Sequence, residues 1–157
     1  MAKPEPNLSP TIENRRARHE YHIGETLEVG LALQGSEGKA VRAGRVSLAE
    51  GYVAVKSEPL SLTLLNVDIG EYAPSANLGH RPKRSRALLA KRSEMKRLAK
   101  AVEGKGTTIV PLKLYFKNGW AKLLIGVATG KQAHDKRQSM AKRDADRDIA
   151  RALSRRR

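Results

Sequence analysis

From Tyr21 onward the chain alternates. Tyr21, Ile23, Leu27, Val29, Leu31 and Leu33 share one parity, interrupted only by Glu25, while His22, Thr26, Glu28 and Ala32 share the other. Period-two patterning sends successive side chains to opposite faces, so this stretch predicts one long half-buried strand. "QGSEGKAVRAG" then predicts a short helix with Ser36 as its N-cap and Gly44 as its stop. Two further strands are expected around Tyr52–Lys56 and Leu60–Val67, with turn residues between them.

The clearest pattern is "VPLKLYFKNGWAKLLIGVA". Asn118-Gly119 suits a two-residue type I′ turn, whose central residues both need positive φ. The turn fixes a register: Lys117 opposite Trp120, Phe116 opposite Ala121, Tyr115 opposite Lys122, Leu114 opposite Leu123, and Leu112 opposite Ile125. One face is then apolar, built from Leu112, Leu114, Phe116, Ala121, Leu123, Ile125 and Val127. The other shows Lys113, Tyr115, Lys117, Trp120 and Lys122, bases interleaved with rings. Cross-strand packing accounts for Trp120 over Lys117. The same face also offers rings for stacking and ammoniums for phosphate, as a single-stranded or looped RNA requires.

A helix is predicted in "SRALLAKRSEMKRLAKAV", with Leu88, Met95, Leu98 and Val102 on one stripe. Arg86, Lys91, Arg92, Lys96, Arg97 and Lys100 cover much of the remainder. A solvated amphipathic helix is one reading, but so many bases beside a single acid favour a helix that faces RNA. The chain ends in "GKQAHDKRQSMAKRDADRDIARALSRRR". Here Ala141, Ala145, Ile149 and Leu153 form one i,i+4 row, and Arg143, Arg147 and Arg151 another. The apolar row is too thin to fix a helix alone, so this segment is expected to be disordered when free and helical once a polyanion neutralises the arginines.

Charge sharpens the picture. The 157 residues carry a formal net charge of +15, which points to nucleic acid as the partner class. Residues 20–80 hold eight acids and four bases, net −4, whereas residues 81–100 hold nine bases and one acid, net +8. Two separate basic segments on an acidic-to-neutral body suggest two RNA contacts. No apolar run is long enough to span a bilayer, no signal-peptide core opens the chain, and there is no Cys. The expectation is a cytoplasmic protein without membrane contact. It divides into a disordered arm (1–13), a small antiparallel β-barrel with accessory helices (14–130) and a basic tail (131–157).

The chemistry of an enzyme is not legible. His134 and Asp135 are adjacent and point to different helix faces. Asp144, Asp146 and Asp148 lack the loop glycine and terminal Glu of a calcium site. No Walker loop, HExxH or dinucleotide fingerprint occurs, and the remaining histidines are scattered. A non-enzymatic protein with neither cofactor nor metal is the reading. Composition alone does not separate an RNA adaptor from a structural ribosomal protein.

Five strings go further: "ENRRARHEYHI", "LEVGLALQGSEGKAVRAG", "HRPKRSRALLAKR", "VPLKLYFKNGWAKLLIGVATGK" and "HDKR". In their order and spacing the chain resembles the SsrA-binding (SmpB) family, the protein partners of transfer-messenger RNA in bacterial ribosome rescue. The resemblance implies an OB-fold-like antiparallel barrel that binds the tRNA-like domain of transfer-messenger RNA. It also implies delivery of that RNA, charged and carried by elongation factor Tu, to ribosomes stalled in trans-translation, with the nascent chain tagged for proteolysis. The basic tail would enter the small-subunit decoding centre and the empty mRNA channel. The protein would act as a monomer.

By motif, the resemblance carries RNA binding to Asn14, Glu28, Leu89 and Lys122. Arg84 and Arg86 in the basic run, with Lys113, Tyr115, Lys117 and Trp120 on the hairpin, complete the expected surface. Two readings of Glu28 stand open, an acceptor for a guanine edge or amino group and a clamp on an arginine. For Leu89 they are packing on RNA and plain core. The decoding-centre element would be Gly130, Lys131, His134, Asp135, Lys136 and Arg137, followed by Arg143, Arg147 and Arg151. Gly38, Ala87 and Ala90 depart from the family's usual residues.

Overall fold

The computed structural model describes residues 9–71, 80–131 and 133–155, and for residues 133–136 and 139 the backbone only. Among the described residues no helix is long and apolar enough to cross a membrane.

The expected long strand is β2 (Tyr21–Leu31). Val29 and Leu31 are buried while Glu28 is exposed, as the alternation requires. Its pairing with β9 (Trp120–Gly130) slips between Ile23 and Thr26, where Glu25 breaks the parity. β2 follows α1 (Arg15–Glu20), a short helix capped by Asn14. Next comes α2 (Gly35–Arg42), whose N-cap is Gln34, not Ser36. The Gln34 N–H donates to the Glu37 carboxylate at 2.9 Å, so the cap runs backward from the third helical residue. Ser36 instead bonds His80 Nδ1 at 2.9 Å. Gly44 does end the helix. Its φ is +76°, its N–H donates to Val41 O at 2.9 Å, and the Arg45 N–H reaches Ala40 O at 3.0 Å, which together form a Schellman stop.

β4 (Tyr52–Ser57) and β5 (Leu60–Leu65) form the next hairpin. A separate two-stranded ribbon pairs β3 (Val46–Ser47) with β6 (Asp68–Ile69). The helix expected from Ser85 to Val102 is in fact two elements. Arg86–Leu89 is strand β7, and helix α3 covers only Arg92–Ala101. β7 lies between β5 and β2, pairing Leu88 with both Leu62 and Leu31. Its in–out alternation was hidden because one inward residue is Arg86, which is fully buried. Ile12–Glu13, expected in the disordered arm, form strand β1 and pair with Leu114 and Lys113.

β8 (Thr107–Lys117) and β9 make the predicted hairpin, with φ of 52° at Asn118 and 79° at Gly119. The register holds from Lys117–Trp120 through Leu114–Leu123, then shifts, so that Pro111 and not Leu112 lies opposite Ile125. Proline has no N–H to give the ladder and is tolerated at a bulge. The bulge turns Leu112 to the other face, where it packs with Ala17, Val110 and Ala128 beneath α1.

The strands run β1-β8-β4-β5-β7-β2-β9, and pairing of β8 with β9 closes the ring. This is a six-stranded barrel with β1 as an added edge. Its interior holds Val29, Val53, Leu62, Leu88, Leu114 and Ile125 among others, with Ala40, Val41 and Leu98 from the helices. One charged unit is sealed in with them. Arg86 bonds the Glu37 carboxylate and donates to Val67 O at 2.9 Å and Pro82 O at 3.0 Å. Arg84 pairs with the same carboxylate from the rim. α4 (Ala133–Arg155) leaves the end of β9.

Candidate nucleic-acid interface

The outward faces of four neighbouring strands, β7-β2-β9-β8, bring most of the predicted residues together. Leu89 sits beside Gly30, Gly30 opposite Lys122, and Lys122 opposite Tyr115. Lys117 and Trp120 flank the turn, while Glu28 lies two residues before Gly30 on the same face of β2. Gly30 has a specific reason to be small: a Cβ there would meet Leu89 Cβ at 3.2 Å. Leu89 is 64% exposed and Trp120 73%. The open question about Leu89 is thereby answered against the core, because β-strand parity directs it outward.

Polar groups on this face are organised by two carboxylates. Glu28 accepts from the Tyr115 hydroxyl and lies 3.8 Å from Lys117 Nζ. It holds a tyrosine and a lysine, not the arginine considered from sequence. Burial pushes the Tyr115 phenol up, and the hydrogen bond to Glu28 and its negative charge add to this, to about 12. The phenol therefore keeps its proton and donates at neutral pH. Glu13 reaches Lys113 at 3.6 Å. Sequence reasoning missed Glu13, since Ile12–Glu13 carries no strand signal of its own. Among the described residues Lys122 forms no ion pair, which leaves its ammonium available for phosphate.

Three expected contacts lie elsewhere. Asn14 is 4% exposed and its amide is spent inside. Oδ1 accepts the Ala17 N–H at 3.1 Å, while Nδ2 donates to Pro111 O at 2.8 Å and Leu48 O at 3.1 Å. It ties α1 to the barrel and offers no base contact. Arg86 is fully buried against Glu37 and is likewise withdrawn from the surface. Arg84 is partly exposed but committed to the same carboxylate.

The tail residues form a separate group. Gly130 ends β9 opposite Tyr21. The Lys131 N–H donates to Glu20 O at 2.8 Å, and its Nζ to Arg18 O at 3.2 Å. Arg143 donates to His19 Nδ1 at 3.0 Å, bringing α4 against α1. Arg137, Arg147 and Arg151 are exposed. The side chains of His134, Asp135 and Lys136 lie outside the described residues.

A closed antiparallel barrel with a basic–aromatic outer face defines a barrel of the nucleic-acid-binding kind, with rings to stack on and cations for phosphate. The family model described as "SmpB protein" matches residues 11–155, and the chain belongs to that family. A relative from Hyphomonas neptunium, described as "SsrA-binding protein", is 52% identical over 142 residues, covering 90% of this chain and 87% of that protein. Another with the same description, from Ligilactobacillus salivarius, is 46% identical over 153 residues, 98% of this chain and 97% of its own. A chain from a solved structure described as "tmRNA-SmpB: a journey to the center of the bacterial ribosome" is similar with a TM-score of 0.68 and 44% identity. That likeness covers 80% of this chain and 87% of the other.

Proposed function

We propose that this protein is a non-enzymatic adaptor that binds the tRNA-like domain of transfer-messenger RNA and brings it to stalled ribosomes for trans-translation. The observation that carries the reading is the contiguous face of Leu89, Glu28, Lys122, Tyr115, Lys117 and Trp120 on adjacent barrel strands. On it, Trp120 and Leu89 supply stacking and apolar contact, Lys122 and Lys117 meet phosphate, and Glu28 sets the orientation of Tyr115. Membership of the SmpB family supports transfer-messenger RNA and the ribosome as the partners.

The barrel, residues 14–130, acts as the RNA-holding unit. The tail, residues 131–157, acts at the small-subunit decoding centre and mRNA channel, its arginines meeting that polyanion, with His134, Lys136 and Arg137 nearest the decoding bases. Elongation factor Tu is met indirectly, through the charged RNA. The protein works as a monomer in the cytoplasm.

A titration of the full chain against the tRNA-like domain and ordinary tRNA across a salt series tests this. Preference for the tRNA-like domain that persists as salt rises is the expected result, because base and shape contacts survive when phosphate contacts weaken. Equal affinities that collapse together would reduce the protein to a generic polycation.

A further inference from the structure

The tip of the β8–β9 hairpin carries a reactive pair that the RNA face does not use. Of the five asparagines in the chain, Asn118 alone precedes a glycine. Both residues are exposed, and a Cβ added to Gly119 would meet nothing within 4 Å. Among the described residues the Asn118 side-chain amide has no hydrogen-bond partner. Asn14, by contrast, is buried with its amide bonded to Leu48 O and Pro111 O. Asn66 precedes the branched, buried Val67. An asparagine amide is shielded from its own main chain chiefly by the bulk of the next residue, and glycine supplies none.

The Gly119 backbone nitrogen loses its proton to solvent and attacks Asn118 Cγ. The Cγ–Nδ2 bond breaks, Nδ2 takes up a proton and leaves as ammonia, and a cyclic imide closes. Water then opens the imide. Cleavage of the Cγ–N bond gives aspartate, and cleavage of the backbone C–N bond gives isoaspartate, whose main chain runs through Cγ. Nothing is oxidised or reduced. We propose that Asn118-Gly119 is a self-modification site, and that the carboxylate formed there weakens the hold of the β7-β2-β9-β8 face on RNA as the protein ages. The second half rests on the RNA reading given above. Lys113, Lys117 and Lys122 stand on this face and its border against Glu13 and Glu28, a surplus of one positive charge that a carboxylate at 118 cancels. That carboxylate adjoins Lys117 and competes with phosphate for its ammonium. Isoaspartate also lengthens the two-residue turn that sets Lys117 opposite Trp120.

The test ages the full chain in warm buffer, mildly alkaline or mildly acidic. Each sample is read by peptide mass spectrometry, by labelling with a protein-isoaspartate methyltransferase, and by titration against the tRNA-like domain. In the alkaline sample the peptide holding Asn118 gains the mass difference between an amide and an acid and accepts the methyl label. The converted protein binds about tenfold more weakly at low salt, with a salt slope lower by about one, as for one lost phosphate contact. Asn118→Gly keeps a turn of the same type, since Gly-Gly also suits it, and holds its affinity through the treatment. Asn118→Asp binds weakly from the start. Survival of Asn118 through alkaline ageing, faster conversion at another asparagine, conversion with affinity unchanged, or an equal loss in aged Asn118→Gly would each overturn the proposal. Wild type that never discriminates the tRNA-like domain from ordinary tRNA would sink the function proposed above, while the mass and methyl readouts would still decide the modification.

Discussion

Replacing Glu37 by Gln leaves the guanidiniums of Arg84 and Arg86 facing each other without their bonded carboxylate, with only the weaker field of Asp68 acting on Arg86. Glu37 and Arg86 are both 0% exposed, so water cannot step in. Breaking a buried pair by removing one partner costs about 3–5 kcal/mol, against a total stability of about 5–15 kcal/mol for a natural domain. Arg86→Met is milder, because Arg84 still neutralises Glu37 from a site whose side chain is 32% exposed. The double variant should lose less than the sum of the two, with a coupling of about 0.5–3 kcal/mol. Urea unfolding followed by far-UV circular dichroism measures this; the single tryptophan is unsuitable because Trp120 is 73% exposed. Folded Arg86→Met should bind RNA as wild type does. A Glu37→Gln cost below about 1 kcal/mol would refute the argument for a critical buried counter-ion. Weakened RNA binding by a stable Arg86→Met protein would return Arg86 to the surface role its sequence suggested. The pH dependence has a definite sign. Burial pushes the Glu37 carboxyl up, but hydrogen bonds from Arg84, the Gln34 N–H and Arg86 outweigh it, so the group titrates below its usual 4.5. Its stabilisation is therefore complete above that value and is lost as pH falls through the lower folded value.

Lys122→Ala should weaken binding of the tRNA-like domain about tenfold, roughly one phosphate contact at low salt, without shifting the melting temperature; unchanged affinity would place the binding face elsewhere. Spectrophotometric titration of the four tyrosines should show one ionising near 12, and Glu28→Ala should bring that group down toward the ordinary value of 10; no change would mean that Glu28 does not hold Tyr115. Gly38 lies in α2 with nothing within 4 Å of an added Cβ, so Gly38→Ala should raise unfolding stability by about 0.5–1 kcal/mol, and a loss would indicate a hidden clash. Truncation after Gly130 removes no residue of either buried cluster, so RNA binding should persist while peptide tagging in a reconstituted system is abolished; a truncated protein that still supports tagging removes the tail from the mechanism.

The β8–β9 hairpin was legible because its information is local: Asn118-Gly119 dictates the turn, and the turn dictates which residues face each other. The basic–aromatic face followed from it. What failed was non-local. Arg86 looked like a helix-surface base because only its partner Glu37 in α2, 49 residues away in sequence, makes a buried guanidinium tolerable. With Arg86 taken as outward-facing, the alternation of β7 disappeared and a helix absorbed it. Leu112 crossed to the other face because Pro111 forces a bulge whose exact position depends on the partner strand. Asn14 was assigned to RNA by motif, while its carbonyl partners, Leu48 and Pro111, belong to distant segments that composition and periodicity cannot bring together.

The junction at Lys131 has an angular consequence. Its N–H and Nζ are both tied to α1, so α4 starts from a fixed origin and runs 23 residues, roughly 35 Å. Each residue also turns the helix by about 100°. Inserting one residue ahead of Arg143 would swing Arg143, Arg147 and Arg151 a quarter-turn away from whatever they address. Inserting four would return them to within about 40° of their bearing, displaced by about 6 Å along the axis. The segment acts as a protractor as well as a ruler: it can change length by near-whole turns and keep its aim, but not by a single residue.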